Sequence, residues 1–271
     1  MNDVKDKSPN LREERYVANP FLMTIEKFKS GYKYYETLML MKNVVGALNK
    51  ITGRLAESGI NILAGMHAQY KDEVLWLSFL EVPEDVSVEK ALKEISSMDV
   101  VTHLRYERLD KTDRFDKFMF PLKVFDRRMV ILTDYMFYGF RKAVIDVLKS
   151  GGEVIIYRQG LTSGEILASR LKERFKEELK TVEDTLRFTE NAFRAFGWGI
   201  VEFRSIDPKT KTGSIIVKES MECFERSDIK CHFMRGILTG VLRKIFDDEN
   251  INLMEYRCSS RGDPYCEYRF V

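Results

Sequence analysis

Along the first hundred residues short strand-like apolar runs take turns with stretches whose apolar positions recur at a period near 3.6. Residues 35–41 (Tyr-Glu-Thr-Leu-Met-Leu-Met) are strand-like, and Ala47, Leu48, Ile51 and Leu55 then recur at helical spacing up to Gly59, where a helix C-cap is expected. A second strand is predicted over 60–66 and a third over 73–82, with a turn at Lys71-Asp72 between them. A helix started by Ser87 covers 86–97, and a fourth strand covers 100–109. The order β-α-β-β-α-β implies a four-stranded antiparallel sheet with two helices on one face. Ahead of it, residues 1–32 read as a polar tail with a short helix near 23–29.

After a charged link at 110–116, residues 118–125 read as a short strand or extended arm, and 128–149 as a helix ended by Gly151-Gly152. Residues 154–157 are apolar and short. Residues 160–164 read as a loop in which Thr162 or Ser163 caps a helical stretch over 165–196, interrupted near Lys180. Strands 200–205 and 214–218 flank turn residues 207–213 as a hairpin. A helix over 231–246 carries Met234, Ile237, Leu238, Val241, Leu242 and Ile245 on one face, and a last hairpin turns at Gly262-Asp263-Pro264. The fold class is therefore α+β: a tail at 1–33, a βαββαβ domain at 34–110, and an α+β domain at 120–271 with a four-stranded antiparallel sheet packed on helices.

Composition narrows the function classes. Of 271 residues, 44% are hydrophobic, enough for a sizeable core. The net charge of +2, from 44 basic and 42 acidic residues with no basic block, gives no footprint for a nucleic acid. The charged first residues exclude a signal peptide, and no apolar run is long enough to span a membrane, so the cytoplasm is the expected location. There, four cysteines point to thiol or metal chemistry more than to disulfides. All four (Cys223, Cys231, Cys258 and Cys266) fall in the last fifth of the chain.

Cys231 opens a helix, where the dipole and free amides favour a thiolate. Cys258 and Cys266 flank a tight turn, and Glu255 lies three residues before the first of them. Three thiols and one carboxylate make a zinc shell, provided that Cys258 has left its strand or a bulge intervenes, since residues three apart on a regular strand face opposite sides. Cys223, in a loop eight residues before Cys231, is placed behind Glu255 as fourth ligand. The plainer reading makes the cysteines small buried hydrophobes. His67, His103 and His232 are scattered, and no Gly-x-Gly-x-x-Gly or phosphate loop is present, so no catalytic residue is assigned. Phe193, Phe196, Trp198, Phe233 and Met234 line an apolar cavity under the sheet or are simply core.

Two resemblances add to this reading. The strand order of the first domain, its Val-Gly-Ala-Leu turn and the Gly-Ile-Asn-Ile start of the next strand resemble the ACT family over about 34–109. This implies pairing through sheets and an amino-acid effector site at Asn43, Val44, Val45, Gly46 and Ala47 with Asn61. Asn43 and Val45 replace the usual aspartate and proline of that turn. Cys231, Arg235-Gly236, Gly240, Glu255, Cys258, Gly262-Asp263-Pro264 and Cys266 resemble the vinyl-4-reductase domain family over about 120–271. That module binds small molecules in many archaeal proteins and in sensors of aromatic compounds. Carried over, its zinc ligands are Cys231, Glu255, Cys258 and Cys266, and the zinc is structural. The expectation is a homodimeric, cytoplasmic ligand-sensing or regulatory protein that binds a small apolar molecule, without nucleic acid or membrane. The alternatives are an enzyme or carrier acting on a hydrophobic or tetrapyrrole-like substrate, and an assembly module that binds nothing.

Overall fold

The structure, a computed structural model, describes residues 25, 27–125, 127–223 and 230–270. The tail read at 1–24 lies outside them, as does the start of the helix expected at 23–29, while residues 27–29 are irregular. The chain divides into two units, Met1–Met129 and Val130–Val271.

In the first unit, strands β1 (Tyr32–Lys42), β2 (Asn61–Tyr70), β3 (Glu73–Pro83) and β4 (Val101–Leu109) form an antiparallel sheet in the order β2-β3-β1-β4. Helices α1 (Ala47–Glu57) and α2 (Val88–Ser96) are amphipathic, and the Ser87 hydroxyl caps α2 by accepting from the Lys90 amide. Their apolar faces join Tyr35, Met39, Trp76, Leu80 and Val82 in one core. The pleat sends the alternate residues Tyr34, Leu77 and Phe79 to the opposite face, where Ile25, Phe28, Phe118 and Met119 cover them. Two carboxyls are buried there. Glu81 accepts from Tyr34 Oη and Lys29 Nζ, both at 3.0 Å, while Glu36 accepts from the Lys117 amide and shares a hydrogen bond with Asp116. Burial, and then Asp116, push the Glu36 carboxyl up to about 8. Lys123–Val124 and Arg127–Arg128 (β5 and β6) pair as a small ribbon.

In the second unit, strands β7 (Ile200–Asp207), β8 (Thr212–Lys218), β9 (Met254–Arg257) and β10 (Cys266–Phe270) form an antiparallel sheet in the order β7-β8-β10-β9. Helix α6 (His232–Phe246) packs Met234, Ile237, Leu238 and Leu242 against Val201, Ile215, Val217, Tyr268 and Phe270 of that sheet. Helix α5 (Val182–Ala195) adds Leu186 and Phe193 to the same core. The expected interruption near Lys180 lies between α5 and α4, which ends at Arg174.

Helix α4 corrects the sequence reading. It runs unbroken over Ser150–Arg174, through both Gly151-Gly152 and the supposed loop 160–164, directly after α3 (Asp134–Leu148). Gly160 and Gly164, taken for a loop, are contact residues. A Cβ on Gly160 would collide with the Phe233 carbonyl, on Gly164 with that of Ile237, on Gly236 with that of Tyr157, and on Gly240 with that of Leu161. Two Gly-xxx-Gly ridges thus meet face to face, and α4 and α6 touch along their backbones, close enough for Cα–H···O contacts. This contact outweighs the weak helix propensity of glycine.

Two outcomes follow from these packing arrangements. Gly164→Ala or Gly236→Ala forces the helices apart and lowers stability by roughly 1–3 kcal/mol or more in chemical denaturation. Gly139→Ala in α3, whose Cβ would meet no atom within 4 Å, raises it by about 0.5–1 kcal/mol. Because Glu36 holds its proton in the folded state to about pH 8 against an ordinary value of 4.5, its contribution to stability declines as pH rises through that window. Glu36→Gln is expected to flatten that part of the pH–stability curve, and an unchanged slope would contradict the assignment.

Candidate metal centre

The last hairpin is built as a socket. Strand β9 stops at Arg257, Cys258 follows in extended backbone, and Ser259–Arg261 form one 3₁₀ turn ended by Gly262 in the left-handed region (φ 97°). Asp263 Oδ2 accepts from the Cys258 amide at 2.8 Å and ties the turn shut. The register of β9 on β10 shifts at Glu267/Tyr268, so that Glu255 pairs with Tyr268. Both conditions for bringing Glu255 near Cys258 are therefore met: the cysteine has left the strand, and a bulge intervenes.

The side chains that converge are four sulfurs. Cys223 Sγ lies 3.0 Å from Cys231 Sγ and 3.4 Å from Cys266 Sγ, while Cys258 Sγ lies 3.4 Å from Cys231 Sγ and 4.0 Å from Cys266 Sγ. All four lie within 4.8 Å of one another, and none is in a disulfide. Metal–sulfur bonds of about 2.3 Å in a tetrahedron place the sulfurs about 3.8 Å apart, so the cluster has the size of a four-thiolate shell. Cys231, Cys258 and Cys266 are buried and Cys223 is partly so. The thiols compete for protons. Hydrogen bonds from Cys223 and Cys231 hold Cys258 below the ordinary thiol range, while bonds to Cys223 and Cys258 push Cys231 above it. The Ser259 amide points at Cys266 Sγ (3.4 Å), and Ser260 Oγ lies 3.0 Å from Cys258 Sγ, as donors to thiolates do.

Cys223, which sequence reasoning placed behind Glu255, is held by a device that no local pattern reveals. Arg141, buried in α3, donates from Nη1 to the Glu222 carbonyl (2.9 Å) and from Nη2 to the Lys230 carbonyl (3.3 Å). Its Nε also forms a 3.0 Å ion pair with Glu222 Oε1. One guanidinium therefore grips both ends of the segment between Glu222 and Lys230. The Glu222 carboxylate in turn accepts from the Phe233 and Met234 amides and so caps α6, against burial that pushes its carboxyl up to about 7. These bonds position Cys223 and Cys231 from outside the loop.

Glu255 lies beside the cluster and is not among the four side chains whose donor atoms all lie within 4.8 Å of one another. Its Oε2 is 3.4 Å from Arg261 Nη2, its Oε1 is buried without a hydrogen-bond partner, and burial with the charge of Cys258 pushes it up to about 7.

The other residues singled out from the sequence separate into three places. Phe193 and Met234 are fully buried in the core, where Trp198 stands edge-on to Phe193 (5.2 Å) and tilted to Phe196 (5.4 Å). Phe233, partly buried against the same core, stands edge-on to Phe137 at 5.1 Å. Asn43, Val44 and Val45 are exposed in the β1–α1 turn, with Gly46 in the left-handed region (φ 84°) and Ala47 buried. Asn61 pairs with Glu81 at the level of Tyr34, the far end of the sheet from that turn, so one chain does not bring Asn61 to the other five. Among the described residues no helix is long and apolar enough to cross a membrane.

No protein-family model matches the chain. Over 134 residues it is 27% identical to the uncharacterized protein MJ0150 of Methanocaldococcus jannaschii, covering 48% of this chain and 71% of that protein. Among solved structures it is similar to the phenol-responsive sensory domain of the transcription activator PoxR with phenol. That match has 20% identity and a TM-score of 0.47, covering 53% of this chain and 76% of that one. It is also similar to a vinyl-4-reductase family protein from Methanocaldococcus jannaschii, with 20% identity and a TM-score of 0.39, covering 53% and 83%. A third similar structure is trafficking protein particle complex subunit 3 from Naegleria fowleri, covalently bound to palmitic acid, with 13% identity and a TM-score of 0.40, covering 51% and 90%.

Proposed function

We propose that this chain is a cytoplasmic ligand-sensing regulatory protein whose second unit binds a small apolar molecule beside a structural zinc. The observation that carries this reading is the four-sulfur cluster. Its ligands come from the loop after β8, the start of α6 and the two sides of the last turn, so one ion would tie helix to hairpin. Four thiolates fill a tetrahedral shell and leave no position for a substrate, which favours a structural ion over a Lewis acid. Cys223, Cys231, Cys258 and Cys266 would hold it, with the Ser259 amide and Ser260 hydroxyl donating to sulfur. The apolar ligand follows from the resemblance carried by Cys231, Arg235-Gly236, Gly240 and the turn around Gly262, with the Phe193, Phe196 and Trp198 cluster as the aromatic surface nearest to that role.

Pairing of two copies is supported by the apolar side chains that the helices of the second unit leave exposed, among them Tyr135, Phe140 and Val147 on α3 and Val154 and Ile166 on α4. In the first unit the exposed turn at Asn43–Ala47 remains the place for an effector, with Asn61 supplied by another copy.

Protein purified in reducing buffer without added metal is expected to carry close to one zinc per chain by elemental analysis. Cys223→Ser and Cys258→Ser lose the metal and much of the thermal stability, whereas Glu255→Gln keeps both. Zinc retained by Cys223→Ser and lost by Glu255→Gln would give the fourth place to the carboxylate, and a reduced, folded protein without any metal would sink the proposal. Native mass spectrometry of the same sample reads the co-purifying apolar ligand as added mass.

A further inference from the structure

A cleft of about 270 Å³ opens between the start of α6 and the β9 turn, lined by Lys230, Cys231, His232, Arg235, Met254, Glu255 and Arg261. It is smaller than the usual ~300–1,000 Å³ ligand pocket and unlike one in character, since most of its lining is charged. Three cationic side chains face one carboxylate, which Arg261 already engages.

Among the described residues five buried side-chain nitrogen or oxygen atoms lack a hydrogen-bond partner, and three of them belong to residues that line this cleft: His232 Nε2, Arg235 Nε and Glu255 Oε1. Buried polar atoms are normally satisfied, so the two donors on the α6 side, His232 Nε2 and Arg235 Nε, mark a place that an acceptor completes, while Glu255 Oε1, itself an acceptor on the β9 side, is not met by it. His232 is 8% exposed, and its Nε2 comes no nearer to Glu153 than 3.5 Å. The Arg235 guanidinium lies over the Tyr157 ring at 4.7 Å, a stacking that holds the plane and leaves the N–H edge to donate.

We propose that this cleft binds a small oxyanion, a carboxylate or a phosphate. Arg235 and Arg261 would take its oxygens, Lys230 would supply charge, and His232 would donate from Nε2. The ligand would span α6 and the β9 turn, the same two elements that the cysteines join. The site uses no metal and does not depend on the apolar ligand.

The test is calorimetric titration of the full chain, as purified, at constant ionic strength with inorganic phosphate, acetate and benzoate, and with benzamide as the uncharged control. Saturable binding of phosphate or of a carboxylate, with none of benzamide, is expected. Arg235→Met and Arg261→Met should each weaken it tenfold or more at unchanged zinc content. Binding by phosphate alone assigns a phosphoryl ligand, and binding by the carboxylates alone an organic acid. No saturable binding of any anion, equal binding of benzamide, or an affinity untouched by both substitutions overturns the proposal. Should Arg235→Met not fold, Arg261→Met decides, since that side chain is 45% exposed. Zinc content measured in the same samples separates failure of this site from failure of the metal centre.

Discussion

The second unit depends on how closely two helices approach. Glycine at four positions lets α4 and α6 meet along their backbones, so α6 is held between a helix and a sheet with little freedom to slide or turn. Everything at the start of α6 inherits that placement: Cys231 at its first turn, the amides that Glu222 caps, and the side chains of His232 and Arg235. A side chain added at any of the four positions acts on backbone, which yields far less than the end of a flexible residue.

On that frame the cysteines divide the work of closing the unit. Cys258 and Cys266 are local, set by a nine-residue turn with its own internal hydrogen bonds. Cys231 is set by helix packing, and Cys223 by a guanidinium eighty residues away in sequence. Four thiols at contact distance in a buried place are poor company without a cation, because bringing one sulfur to the thiolate raises the cost for the next. A divalent ion would remove that conflict by taking all four at once.

Much of the architecture was legible where periodicity is local. The βαββαβ order, the two hairpins, the amphipathic α6 and the break near Lys180 all follow from apolar spacing and turn chemistry. Helix α4 was not, because glycine reads as a helix breaker unless its partner ridge is recognised. The matching four-residue spacing of Gly160 and Gly164 with Gly236 and Gly240 was the available signal. Among the site residues, Cys231, Cys258 and Cys266 stood out by position and residue type. Cys223 lacked such a mark, since Arg141 fixes it through main-chain carbonyls that any residue would offer. Asn61 and the Asn43–Ala47 turn were grouped by motif, and strand register then placed them at opposite ends of the sheet. The aromatic residues near Trp198 carried no spacing that separates core from cavity wall.

The grip of Arg141 has a consequence for how the unit opens. Its guanidinium is buried, and the carbonyls of Glu222 and Lys230 with the Glu222 carboxylate are what keep that charge tolerable. Pulling α3 away strands the charge, and so does drawing Glu222 and Lys230 away from it. Neither separation is cheap alone, so α3, Glu222 and Lys230 are tied to one another although about half of a domain's length separates Arg141 from them along the chain.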